Sequence, residues 1–148
     1  MSGSERLYLD HAATTPMLPE ARAAVIDAME EWANPSSPHA DGRRARAAFE
    51  EARRTIAEAL GWRHDVIFTS GASEAVQIVA ARTRPPGRIV GPTEHDAVLG
   101  AMGTGAIVLR VDANGLIDLA DLDRHLAAGP ALVAVQLANN ETGVIQPL

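Results

Sequence analysis

Small and hydroxyl-bearing residues in the segment TSGASE (residues 69–74) could bind an anion such as a phosphate group. The segment lies between a short apolar run and a helical pattern, so it would present free backbone N–H groups at the start of a helix, where they carry positive partial charge. Gly71 would let the backbone approach a ligand closely, and the Ser73 hydroxyl could donate to a phosphate oxygen. A helix cap, in which Ser70 or Ser73 accepts from these N–H groups, explains the same residues equally well.

A histidine and a pair of asparagines follow two other apolar runs. The imidazole of His95 could stack on a planar ring or transfer a proton near neutral pH, although a capping or surface histidine is the commoner case. The segment NNETG (residues 139–143) carries amide groups that could bond a ligand oxygen or form an ordinary turn. The other four histidines lack the paired spacing of a metal site, so we predict no metal; they are His11, His39, His64 and His125.

Two amphipathic helices are predicted before these segments. Apolar residues recur at three- and four-residue spacing from Pro19 to Trp32, and Asn34 with the following proline ends the pattern. A second helix is expected over residues 41–60, with Gly61 as its C-cap. These elements make up an N-terminal segment over residues 1–62.

The rest of the chain alternates between short β-rich runs and helical ones. Strands are predicted at residues 66–69, 88–91, 106–111 and 131–138, and helices at residues 73–81, 94–102 and 119–127. The segment DANG (residues 112–115) is expected to form a turn. This alternation predicts an α/β fold with a mostly parallel sheet covered by helices. Ligands bind outside the carboxyl ends of such strands, so the three polar segments should converge on one rim.

Composition restricts the classes of function. The chain has 148 residues, of which 47% are hydrophobic, and this is typical of one globular domain. A net charge of -6 argues against nucleic acid as a partner, and neither an export signal nor a membrane span is apparent. There is no cysteine, and all 13 basic side chains are arginine, so there is no lysine. The lack of cysteine fits a reducing compartment, and we expect a cytoplasmic protein.

The order of several motifs resembles that of cysteine desulfurases, a branch of the class V aminotransferases. The motifs are LDHAATTP (residues 9–16), NPSS (34–37), TSGASE (69–74), EH (94–95) and NNETG (139–143). The resemblance extends over residues 7–148 and covers under half of a family member. It implies the large domain of fold-type I pyridoxal-phosphate enzymes, of which residues 63–148 would form the first part, in a single partial unit spanning residues 1–148.

The resemblance also implies a cofactor, pyridoxal 5′-phosphate, and the residues that contact it. The expected phosphate contacts are Gly71, Ala72 and Ser73, with Ser73 standing where the family usually has threonine. His95 is expected to stack on the pyridine ring and assist proton transfer, and Asn140 to approach the phenolic oxygen, with Asn139 a weaker candidate. His11 and Asn34 are expected to be substrate-adjacent. One departure is AVQ (residues 75–77), near which the family commonly has an asparagine pair.

An enzyme of this kind needs a lysine to attach the cofactor and a cysteine to accept sulfur, and this chain has neither. We therefore expect a half-enzyme that acts on L-cysteine only in complex with a complementary chain carrying the lysine, as a dimer of heterodimers. A truncated sequence would look the same. The alternatives are a non-catalytic relic or partner-binding, regulatory module of the same fold, and another class V activity such as that of a selenocysteine lyase or an aminotransferase.

Overall fold

The computed structural model describes residues 7–147 in two compact units. The first unit ends at Phe68 and the second begins at Thr69. Each unit has its own secondary structure, and the three polar segments singled out above all lie in the second.

The first unit contains both predicted helices, α1 (Pro19–Glu30) and α2 (Ala40–Ala59). Proline stands in the first turn of α1, where its missing N–H has no helical partner to lose. His39 caps α2, because its Nδ1 accepts the backbone N–H of Gly42 at 3.2 Å. Past the end of α2, Gly61 adopts a φ of +61° and donates its N–H to the Glu58 carbonyl, as expected of a helix C-terminus.

The second unit is built on a sheet of three parallel strands. The strands are β1 (Gly87–Val90), β2 (Ile107–Val108) and β3 (Ala131–Ala134), in the order β2-β1-β3. Helices α3 (Ala72–Arg82), α4 (Asp96–Met102) and α5 (Leu119–Leu126) alternate with the strands along the chain. The predicted α/β fold with a parallel sheet is therefore confirmed.

The prediction of a strand at residues 66–69 is wrong. No described residue forms a ladder with the segment, and a strand needs such a partner for its N–H and C=O groups. Phe68 instead packs edge-on against Phe49 of α2, with ring centroids 5.2 Å apart. This contact covers the segment only in part, since Ile67 is 66% and Phe68 47% exposed.

Several element boundaries also differ from the predicted ones. The strand expected at residues 106–111 is two residues long, and the one expected at 131–138 is four. Beyond these strands, residues 7–147 form only single antiparallel bridges, Val111 with Ile117 and Ala138 with Ile145. The helix expected from residue 94 begins at Asp96, because His95 is its N-cap.

The core of the second unit is centred on Ile89 of β1. Ile89 is 1% exposed, and it clusters with Leu109 and Ile117. Burying a side chain such as Ile89 contributes about 1.5–3 kcal/mol. The approach of β1 to β3 depends on Gly87, since a Cβ there would lie 2.8 Å from that of Ala131.

Two buried polar side chains connect the loops around this core. Gln146 accepts the Ile117 N–H at 2.9 Å and donates to the Gly115 carbonyl at 3.0 Å. Asp121 accepts the backbone N–H of Arg110 at 3.0 Å, and this hydrogen bond, aided by nearby basic side chains, holds the pKa of Asp121 below its ordinary value. Both residues tie the 110–117 region to other parts of the unit.

Candidate functional site

The N-terminus of α3 is open in the way that an anion site requires. Gly71 is the N-cap, and no described side chain caps the first turn. Ser73 lies in that turn, and within residues 7–147 its hydroxyl makes no hydrogen bond. The helix cap considered from the sequence, made by Ser70 or Ser73, is therefore not formed. The uncapped N–H groups of Ala72 and its neighbours remain available for a ligand.

The surroundings of this helix start keep the open end accessible. A Cβ placed on Gly71 would meet nothing within 4 Å, so packing does not demand the glycine and space exists beside it. The Glu74 carboxylate turns back to accept the Ser70 N–H at 2.6 Å, and this hydrogen bond lowers the pKa of Glu74. Thr69 donates its hydroxyl to the Gly71 carbonyl at 3.1 Å. These bonds fix the entry of the chain into α3 through the residues before it.

His95 combines the two interpretations considered from the sequence. It is the N-cap of α4, and its Nδ1 accepts the Ala97 N–H at 3.1 Å. An Nδ1 that accepts a hydrogen bond carries no proton, so the neutral ring carries its hydrogen on Nε2. The ring is exposed, and this leaves its face and Nε2 accessible to a ligand. Capping fixes the backbone of His95 without consuming its outer nitrogen.

The two asparagines after β3 have opposite environments. Asn139 is 6% exposed: its Oδ1 accepts the N–H groups of Glu141 and Thr142 at 2.9 and 2.8 Å, and its Nδ2 donates to the Thr93 carbonyl at 2.9 Å. Asn140 is exposed, and within the described chain its amide makes no hydrogen bond. Asn139 therefore holds the turn, and Asn140 is the asparagine free to contact a ligand.

The loops after β1 and β3 meet, as predicted from the parallel sheet. The Glu94 carboxylate accepts the Gln136 N–H at 2.9 Å, and the Gln136 side chain donates to the Thr93 carbonyl at 3.2 Å. A cavity of about 420 Å³ lies beside these loops, lined by apolar side chains of α3, α4 and β3 together with Glu94 and Gln136. Its α3 wall begins at Ala75, the residue that follows the third polar segment, and its lining includes none of Ser73, His95 and Asn140.

The two residues expected to be substrate-adjacent lie in the first unit and have local partners. His11 packs edge-on against Tyr8, and its Nδ1 is 3.4 Å from the Thr15 hydroxyl. The side chain of Asn34 accepts the Ser36 N–H at 2.9 Å and so closes the NPSS turn. These contacts give Asn34 a structural role, and a substrate-adjacent role for either residue stays a prediction.

Sequence reasoning missed the importance of Glu94, Gln136 and Asn139. Glu94 and Asn139 are buried and Gln136 is half-buried, and a polar group removed from water signals a hydrogen-bond partner elsewhere in the fold. Among residues 7–147 no group of His, Asp or Glu side chains is arranged to hold a metal ion. Within the same range, no helix has the length and apolar character needed to cross a membrane.

Comparison with known proteins places the chain in a family. The model of the family described as aminotransferase class-V matches residues 7–148. The chain belongs to the class-V aminotransferases. A cysteine desulfurase from Frankia sp. (strain EuIK1) is 41% identical over 94% of this chain, and a selenocysteine lyase from Rattus norvegicus is 31% identical over 98%. This class-V chain covers 38% and 41% of those two proteins, so it spans about two fifths of their length.

The fold agrees with this family. The crystal structure of a NifS-like protein from Rickettsia africae ESF-5 superposes with a TM-score of 0.85 and 34% identity, covering 96% of this chain and 42% of that one. The class-V cysteine desulfurases are pyridoxal-phosphate enzymes. The site of this class-V chain fits that cofactor: it offers an open helix N-terminus for a phosphate, an exposed imidazole and an exposed carboxamide.

Proposed function

We propose that this chain is the phosphate- and ring-binding half of a pyridoxal-phosphate-dependent cysteine desulfurase. The observation that carries the proposal is the uncapped start of α3, with the Ser73 hydroxyl unbonded within the described residues, in a chain 41% identical to a cysteine desulfurase. Packing leaves this helix start open, and a phosphate group would satisfy its N–H groups.

Three groups of this chain act on the cofactor in the proposal. The first-turn N–H groups of α3, with the Ser73 hydroxyl, bind the phosphate. Asn140 donates a hydrogen bond to the phenolic oxygen, and the exposed face of His95 packs on the ring while Nε2 holds or releases a proton during turnover. The bound cofactor supplies an electron sink for the bonds of the amino-acid substrate.

The lysine that links the cofactor and the cysteine that accepts sulfur lie outside this sequence, since the chain contains neither residue type. We propose that a second polypeptide provides both, and that two copies of each chain assemble into the active enzyme in the cytoplasm. L-Cysteine is the proposed substrate, and it is converted to alanine as its sulfur passes to the thiol of the partner chain. This chain alone would then be inactive.

A second candidate activity is selenocysteine lyase. It is favoured by the 31% identity to the rat selenocysteine lyase, over nearly the whole of this chain. A comparison of L-cysteine with L-selenocysteine as substrates of the assembled enzyme separates the two activities.

The proposal is tested by purifying the chain natively from its source, identifying its companions by mass spectrometry and recording the visible spectrum. The expected result is a yellow complex with a companion that contains a lysine bound to the cofactor. A colourless chain without such a companion would refute the proposal and favour a non-catalytic, partner-binding module of the same fold.

A further inference from the structure

Two loops at the carboxyl end of the sheet are joined by side chains from distant parts of the sequence. Three hydrogen bonds cross between them: Gln136 N–H to Glu94, Gln136 Nε2 to the Thr93 carbonyl, and Asn139 Nδ2 to the same carbonyl. We call the set Thr93, Glu94, Gln136 and Asn139 the inter-loop clamp. Its bonds span 42 to 46 residues of sequence, so they connect loops that the chain itself leaves independent.

The clamp residues stand directly beside the proposed cofactor contacts. Glu94 is 9% exposed and precedes the exposed His95, while Asn139 is 6% exposed and precedes the exposed Asn140. In both loops a buried polar residue anchors the backbone, and the next side chain faces outward. Because Glu94 bonds Gln136 and Asn139 bonds Thr93, the two loops are tied together next to the two outward side chains, and this restrains the spacing of those side chains.

The space for the Glu94 carboxylate depends on Gly91, the residue directly after β1. A Cβ at Gly91 would lie 2.8 Å from the Glu94 Oε1, the atom that accepts the Gln136 N–H. A larger residue at position 91 would thus displace the carboxylate from its partner.

We propose that Asn139 and Glu94 are positioning residues that hold His95 and Asn140 at the separation that cofactor chemistry needs. The catalytic consequence rests on the proposed function, whereas the mechanical link between the loops does not. Neither residue needs to touch the cofactor or the substrate. Catalysis is sensitive to such placement, because a displacement of about 1 Å can cost about 100-fold in rate.

The mechanical link is tested with Asn139→Asp in the natively purified protein, together with any chains that accompany it. The aspartate keeps the oxygen that accepts from Glu141 and Thr142, but it replaces the donor to Thr93 with a second acceptor. The rate of hydrogen–deuterium exchange should therefore rise about tenfold in the first turn of α4, which is the effect expected for the loss of one hydrogen bond. The backbone amides of the turn at residues 139–144 should stay protected from exchange. Asn114→Asp, the same change in an exposed turn, should leave α4 unaltered.

Unchanged exchange in the first turn of α4 would overturn the clamp. If Asn139→Asp does not fold, Gln136→Leu serves instead, because it removes only the Nε2 bond to Thr93 and leaves the backbone bond to Glu94. We expect about a threefold rise in exchange in α4 for this variant. No rise would overturn the proposal in the same way.

The catalytic consequence is measured in the cofactor-loaded complex. Asn139→Asp should lower turnover per bound cofactor about 100-fold with little change in KM, and should shift the pH midpoint of the cofactor absorbance. A variant that binds less cofactor but keeps the wild-type midpoint and turnover per site would have only a structural defect, and would overturn the positioning role. If the unmodified complex binds no cofactor, the proposed function fails while the exchange experiment still decides the clamp.

Discussion

Ser73→Ala is the most direct test of the phosphate site, because the change is confined to one hydroxyl. Within the described chain that hydroxyl makes no hydrogen bond, so its removal breaks no contact of the fold. Alanine is a better helix former than serine by at most about 0.5 kcal/mol. The substitution should therefore leave the free energy of unfolding nearly unchanged.

The substitution should weaken the binding only of a ligand that carries a phosphate group. A hydrogen bond to a charged group contributes about 1.5–3 kcal/mol, which corresponds to roughly 10- to 140-fold in the dissociation constant. The N–H groups at the start of α3 are untouched by the substitution. Binding of pyridoxal 5′-phosphate should thus be weakened by this factor and not abolished.

The assay is an absorbance titration of the assembled complex with pyridoxal 5′-phosphate and, in parallel, with pyridoxal, which lacks the phosphate. Ser73→Ala should weaken binding of the first ligand and leave that of the second unchanged. Ser36→Ala, in an exposed turn of the first unit, is the matched control and should change neither. An unaltered ratio of the two affinities in Ser73→Ala would refute the assignment of the phosphate site.

Four further outcomes are expected. His95→Ala should lower kcat by about 100- to 10,000-fold, the range for a proton-transferring group, with a smaller loss of cofactor retention, as measured by steady-state kinetics and spectroscopy. Asn140→Ala should shift the pH midpoint of the cofactor absorbance, and an identical titration would dismiss its contact with the phenolic oxygen. Gln146→Ala leaves the buried Ile117 N–H unsatisfied and should cost about 2–4 kcal/mol in denaturant unfolding, with Gln77→Ala on the exposed side of α3 as control. The pKa of Asp121 is lowered in the folded state, so its contribution to stability is complete above the ordinary carboxyl pKa of about 3.9 and is lost as the pH falls through the lower, folded-state pKa. Asp121→Asn should therefore make the free energy of unfolding less dependent on pH in that range, as measured by denaturant unfolding at a series of pH values.

Much of the fold could be predicted from local sequence patterns. The bounds of α2 were predicted to within one residue, because apolar spacing and a terminal glycine act within the helix itself. The strands were less accurate, and the segment at residues 66–69 was wrong, since a strand exists only where a second strand supplies hydrogen-bond partners. A short apolar run by itself establishes neither a strand nor burial, since Ile67 and Phe68 of this segment stay exposed.

For the candidate site too, the sequence indicated part of the answer and the structure supplied the rest. The residue types that could bind a phosphate, stack on a ring or bond an oxygen are evident from the motifs at Ser73, His95 and Asn140. The resemblance already favoured Asn140 over Asn139, and the structure gives the physical difference between them, since Asn139 is a buried anchor and Asn140 is exposed.

The sequence by itself determined the family, the α/β alternation and the chemical groups at the rim, because these depend on residue type and on short-range periodicity. Only the tertiary structure decided which groups are free to act. It showed that His95 caps a helix through Nδ1, that no described side chain caps the start of α3, and that Asn139 joins Thr93 across 46 residues. Hydrogen bonds over such distances in sequence depend on how the strands pair, and no local pattern encodes that pairing.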